Sequence, residues 1–238
     1  MNSKCALLVA LSLGSGIGCA SIGTMQRAET LGSGNIQLGV EVASFGFQVE
    51  GESANAMQLD LALRYGISDR FDISARMGSS FMGVGGKIML TPRDSDIALS
   101  LAPSVSGVAI GGFGLGAGYL SMQFPVILGI PVGPTSQLVV APKLTDDLVF
   151  ASGAGASAGA NALGAGLSVG FAAGLSDNFT LMPEFAIAQP ILLSAGASAG
   201  GTGAGDSTGP RGFDFTRYQF TVGFLFGSGT PAAAEPVN

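Results

Sequence analysis

Nine charged side chains recur at alternate positions within otherwise apolar runs of this 238-residue chain: Glu41, Asp60, Arg64, Asp72, Arg76, Lys87, Lys143, Glu184 and Arg217. Five are cationic and four anionic, and three chemistries fit such a set. They are a lining that selects ions, a proton relay, or acid–base work by a pair of carboxylates. The acids are scattered over separate runs and sit near basic partners. A structural ion-pair network that nearly neutralises itself is therefore the plainer expectation. The sequence contains no His, which excludes Ser-His-Asp and Cys-His arrangements and any His-ligated metal site. The glycine runs "GGFGLGAG" and "ASGAGASAGANALGAG" lead into no Gly-Lys-Ser/Thr and make no phosphate loop. A net charge of −6 with no Lys/Arg run argues against nucleic acid as a partner. The chain is thus expected to be no enzyme and to carry no metal or cofactor.

The elements that position these charges read as strands. In "NIQLGVEVA", Ile36, Leu38, Val40 and Val42 share one face, with Gln37 and Glu41 opposite. The same two-residue period recurs through "MQLDLALRYG", "FDISARMG", residues 83–91, 97–102, 116–131, 137–145, 162–175, "FTLMPEFAI" and "YQFTVGFLFG", which makes ten runs. Short polar turns are expected near 67–70, 91–96, 130–136 and 175–178. Longer loops rich in Gly, Ala and Ser are expected near 50–55, 104–115, 146–161 and 189–212.

Periodicity alone does not choose the solvent, but charge placement does. Each of the nine charges lies on the more polar face of its run, amid Gly, Ala and Ser, while the opposite face carries bulky Phe, Tyr, Leu and Met. The chain is 47% hydrophobic and 11% charged, against about 25% charged in ordinary soluble domains. It nevertheless has no run of the ~20 apolar residues that a spanning helix needs. So many large side chains would not fit inside one closed barrel, yet they fit easily on its outside against lipid. The expected fold is all-β, a transmembrane up-and-down antiparallel β-barrel of about ten strands over residues 35–227. A strand face of only Gly, Ala and Ser from Ala162 to Gly174 would leave a narrow inward groove.

The N-terminus reads as a targeting segment: Lys4, an apolar core from Ala6 to Leu13, then small residues to Gly18. Residues 1–18 are expected as a signal peptide, 19–34 as a lipidated N-terminal tether and 228–238 as a periplasmic tail. "Gly16-Ile17-Gly18-Cys19" resembles a bacterial lipoprotein cleavage box, with Gly16 where Leu is usual, and that resemblance implies acylation at Cys19. Ordinary cleavage after Ala20 is the alternative. Ala20 stands where Asp would retain such a protein at the inner membrane, which favours the outer membrane.

On "RYGISDRFDISARMG", "GLSDNFTLMPEF" and "RYQFTVGFLFG" the chain resembles the small bacterial outer-membrane β-barrel proteins. The last of these, with Tyr218, Phe220, Val222, Phe224 and Phe226 on one face, is similar to the terminal signal read by the barrel-assembly machinery. The resemblance implies location in the outer membrane, with its lipid and that machinery as partners, and supplies no substrate. A structural, interaction or narrow-pore role follows. The alternatives are a binding or transport barrel for a small solute or apolar molecule, and a soluble secreted Gly-rich β protein.

Overall fold

The computed structural model describes residues 21–49, 52–79, 81–112, 115–153, 156–199, 202–209 and 215–227. Twelve strands run in chain order. They are β1 (Ile36–Val49), β2 (Glu52–Ser68), β3 (Phe71–Gly78), β4 (Met82–Met89), β5 (Ala98–Leu101) and β6 (Ser104–Gly112). Then follow β7 (Leu115–Pro131), β8 (Ser136–Gly153), β9 (Ala156–Ser176), β10 (Phe179–Ala199), β11 (Thr202–Gly209) and β12 (Phe215–Phe226).

All pairings are antiparallel, and the β1–β12 and β9–β10 pairings close the sheet on itself. Both β5 and β6 lie between β4 and β7, interrupted only at Ala102-Pro103, so they form one stave of the wall. Likewise β11 and β12 share one edge of β10. The wall is thus a barrel of ten staves. Closure joins the strands into a ring, as lipid demands of a spanning sheet, and among the described residues an edge is left unpaired where a neighbouring strand ends early, as on β2 beyond Asp60.

The strand period sorts side chains as the sequence implied. Leu59, Leu61, Leu63 and Tyr65 of β2 face outward and exposed, whereas Gln58, Asp60 and Arg64 face inward and buried. On β12, Phe220 and Phe226 are exposed while Gln219, Thr221 and Leu225 are buried. Phe226 stacks on Phe179 of the neighbouring strand, with ring centroids 5.1 Å apart. An apolar outer face with a charged interior inverts the arrangement of a soluble β protein, and this is a transmembrane barrel.

Two features differ from the sequence expectation. The segments expected as long Gly/Ala/Ser loops are mostly strand: β6 covers 104–112, β8 runs on to Gly153, β9 starts at Ala156 and β10 reaches Ala199. Small residues there pair like with like, Ala158 opposite Ala197 and Ser157 opposite Ser198, so hydrogen bonding to a neighbour stands in for side-chain packing. The second difference concerns residues 21–34, expected within a tether. They run inside the barrel, with Ser21, Ile22, Thr24, Met25, Arg27, Ala28, Thr30 and Leu31 buried. The signal peptide, Cys19 and the C-terminal tail lie outside the described residues.

Candidate functional site

The nine charges all point into the lumen. Glu41, Asp60, Arg64, Asp72, Lys87, Lys143 and Glu184 are buried, and Arg76 and Arg217 nearly so. The wall holds them in ion pairs where the strand register brings opposite charges together. Arg76 on β3 bridges Glu41 on β1 and Asp60 on β2, the latter at 3.1 Å. Lys87 meets Asp72 at 3.2 Å, across a pair of residues directly opposed between β3 and β4. Near the other mouth Arg217 meets Asp147 at 2.5 Å, and the Tyr119 hydroxyl donates to the same carboxylate at 2.6 Å. Asp147 was missed in the sequence because its stretch reads as a loop. Adding this acid to the five cations and four anions makes the wall network five against five.

The remaining bonding capacity of these groups goes to the segment 21–34. The Thr24 N–H and hydroxyl donate to the Glu184 carboxylate at 2.6 and 2.8 Å, and the Met25 N–H donates to it at 2.8 Å. Lys143 donates to the Ile22 carbonyl. Arg64 donates to the Met25 carbonyl at 2.5 Å, and Lys87 to the carbonyls of Arg27 and Glu29 at 3.3 and 2.5 Å. The Leu31 N–H is accepted by Asp72 at 3.1 Å. Wall amides complete the set: Gln123 donates to the Ser21 carbonyl, while Gln219 and Gln137 accept from the N–H groups of Ile22 and Ala28. A segment without secondary structure has unpaired backbone groups along its length, and burial requires a partner for each. The inward charges and amides supply them.

Packing fixes the position as well. Met25 is fully buried, and a Cβ placed on Gly223 of β12 would lie 1.9 Å from its Cε, so the glycine makes the seat that the Met occupies. Met182, Ala172 and Leu225 belong to the same buried cluster. The narrow groove expected along the small-residue face of β9 is therefore not open. Met182 approaches Gly170 there, and the Lys143 stem approaches Gly166. The wall's own side chains fill the space that glycine leaves.

The inward amides Gln123, Gln137 and Gln219 of the wall serve the plug, though nothing in residues 21–34 marks that segment as one. These amides have no charge to balance, yet the lumen needs them. Among the described residues no cluster of His, Cys, Asp and Glu is arranged to hold a metal ion.

No protein-family model matches the chain, and no curated protein matches it. Among solved structures it is similar to the attachment invasion locus protein Ail of Yersinia pestis, at 8% identity over 82% of this chain and 99% of that one, with a TM-score of 0.43. It is similar also to the outer membrane protease OmpT from Escherichia coli, at 10% identity over 86% and 100%, TM-score 0.46. A third is the outer membrane protein OprG from Pseudomonas aeruginosa, at 12% identity over 85% and 99%, TM-score 0.39. At such identities and scores the reading of the fold rests on this chain's own strand pairing.

Proposed function

We propose that this chain is an outer-membrane barrel closed by its own N-terminal segment, with a structural or interaction role rather than that of an open pore. The observation that carries the reading is the bonding of residues 21–34 to Glu184, Lys143, Lys87 and Asp72 across the lumen. A conducting path would have to break those bonds, and the cavity beside Ser21, Arg76 and Gln123 measures about 70 Å³. That is room for a few waters and not for a hydrated ion column.

The same occupancy disfavours catalysis. Among the described residues, the inward carboxylates Glu41, Asp60, Asp72, Asp147 and Glu184 each have a cation or a backbone N–H as partner, so none of these is poised as a free base. Acylation at Cys19 belongs to the same proposal, and a Cys19→Ala change should abolish acyl labelling in cells. The main test is ion conductance of the full chain in a planar bilayer, beside a variant lacking residues 21–33. The full chain should be silent, and the truncated one should conduct or fail to insert. Steady conductance from the full chain would overturn the closed reading.

A further inference from the structure

The wall is low on one side. Strand β3 ends at Gly78, opposite Asp60, yet β2 continues beyond that level through residues 52–59. Strand β4 begins at Met82, opposite Gly107, yet β6 continues through 108–112. A strand tilted by about 40° gains roughly 2.5 Å of height per residue. The step is therefore on the order of 20 Å on the β2 side and about 13 Å on the β6 side. Two staves are missing above the β3–β4 hairpin, and three inter-strand spacings leave a notch about 14 Å wide.

This notch opens within the apolar band. Leu59 and Met57 of β2 lie above the end of β3, and both still point outward with half or more of their surface exposed. Just beneath the notch, the outer face carries a groove of about 520 Å³ lined by Leu61, Leu63, Met77, Met82, Val84 and Leu120. That volume falls within the ~300–1,000 Å³ typical of small-molecule sites. Behind the notch the lumen carries a small apolar cluster beside the Arg217–Asp147 pair: Phe81 and Tyr119 are buried together, with Val108 and Val149 packed against them. Phe81 folds inward because Gly78 leaves it room, since a Cβ there would sit 2.3 Å from its ring. Arg76, Gly83 and Ser106 line both the outer groove and the inner cavity, so the two are separated by a single thin stretch of wall.

We propose that this notch is a lateral binding site for a single-chain amphiphile of the fatty-acid class, entered from the outer leaflet. The alkyl chain lies in the groove over Met77, Met82 and Leu120. The carboxylate turns over the low hairpin toward Arg76, whose guanidinium lies 5.8 Å from the Phe81 ring and whose Nε is buried with no hydrogen-bond partner. The occupied lumen below makes it a binding site and not a route to the periplasm, and in this respect the inference rests on the closed reading above. A leaflet lipid fits the notch better than a protein strand pairing with the exposed edge of β2. The groove is apolar and faces the membrane, whereas strand addition would need only backbone.

The sequence has no Trp, so Phe81→Trp introduces a single Trp at the notch, excited selectively over the three Tyr. In vesicles, a brominated fatty acid should quench it saturably, and its methyl ester should bind about tenfold more weakly for want of a charged head at Arg76. Ala75→Phe, which fills the groove from an exposed position, should weaken the fatty acid about tenfold while heat-modifiable migration stays normal. Quenching that rises linearly, as from bulk bilayer, overturns the site. So does saturable quenching that Ala75→Phe leaves unchanged. Equal binding of acid and ester removes Arg76 from the site. A wild-type arm, retention of palmitate through gel filtration and its loss in Ala75→Phe, covers a poorly folding Trp variant. Conductance of the full chain would sink the closed reading and the claim that the notch is no route to the periplasm, while leaving saturable binding to be judged by the quenching alone.

Discussion

Glu184→Ala tests whether the N-terminal segment is held by chemistry or merely lies in the lumen. The carboxylate accepts from two backbone N–H groups and one hydroxyl, all at 2.8 Å or less. Charge-assisted bonds contribute about 1.5–3 kcal/mol each, so the gross loss is ~4–9 kcal/mol. Water entering the space left by the side chain recovers part of that, and about 3 kcal/mol remains. The ratio of docked to undocked segment should then fall roughly 150-fold. Glu184→Gln, which keeps one acceptor oxygen, should fall between. The assay places a thiol at the segment by Ile22→Cys in a Cys19→Ser background, and follows its reaction with a membrane-impermeant maleimide in vesicles. Ile22 is 4% exposed, so labelling reports undocking. In the Glu184→Ala background labelling should accelerate by about two orders of magnitude, with the barrel still heat-modifiable. A rate unchanged within about twofold in a folded barrel would refute the reasoning, because the segment would then be held by shape alone.

Other perturbations probe the rest of the fold. Gly223→Leu drives a side chain into the seat of Met25, and overpacking of about 1–3 kcal/mol should release the segment and raise single-channel activity. Arg217→Ala strands Asp147 in the lumen, at a cost of about 3–5 kcal/mol read as a lower urea midpoint of the gel shift. Pairing that change with Asp147→Leu should recover most of the loss. Phe220→Arg puts a charge on the lipid face of β12, where it costs about 2–4 kcal/mol near the midplane. The heat-modifiable form should then diminish on a gel.

What was legible in the sequence was whatever repeats. The two-residue period that set Leu59, Leu61 and Leu63 against Asp60 and Arg64 fixes which face meets lipid, because a one-residue slip would move every charge outward. The nine inward charges follow from that alone. The non-repeating parts were not legible. Residues 21–34 have no period, so nothing local distinguishes a segment packed inside a barrel from one trailing outside it; the distinction lies in partners up to 198 positions away, such as Gln219 for Ser21. Gly/Ala/Ser stretches such as 156–160 carry no amphipathic signal either, because both faces are small. Asp147 was lost with them. The low wall above β3–β4 comes from unequal strand lengths, and strand ends are set by register around the whole ring and not by local residues.

The seated segment also constrains how the molecule is built. Its partners come from nearly every part of the wall: Asp72 on β3, Lys87 on β4, Gln123 on β7, Lys143 on β8, Glu184 on β10 and Gln219 on β12. A cylinder closed first would enclose these groups without their partners, and the later-threaded chain would have to pass a crowded, charged interior. The economical order is the reverse. With the N-terminal stretch in place first, as a mandrel, successive hairpins would meet their partners as they wrap and the β1–β12 seam would close over it last. Such an order makes insertion slow, since its contacts reach across as many as 160 residues between Thr24 and Glu184 and 197 between Ile22 and Gln219. It also makes insertion self-checking, because a barrel wrapped on nothing would leave Glu184 and Lys143 without the backbone groups they bond in the segment.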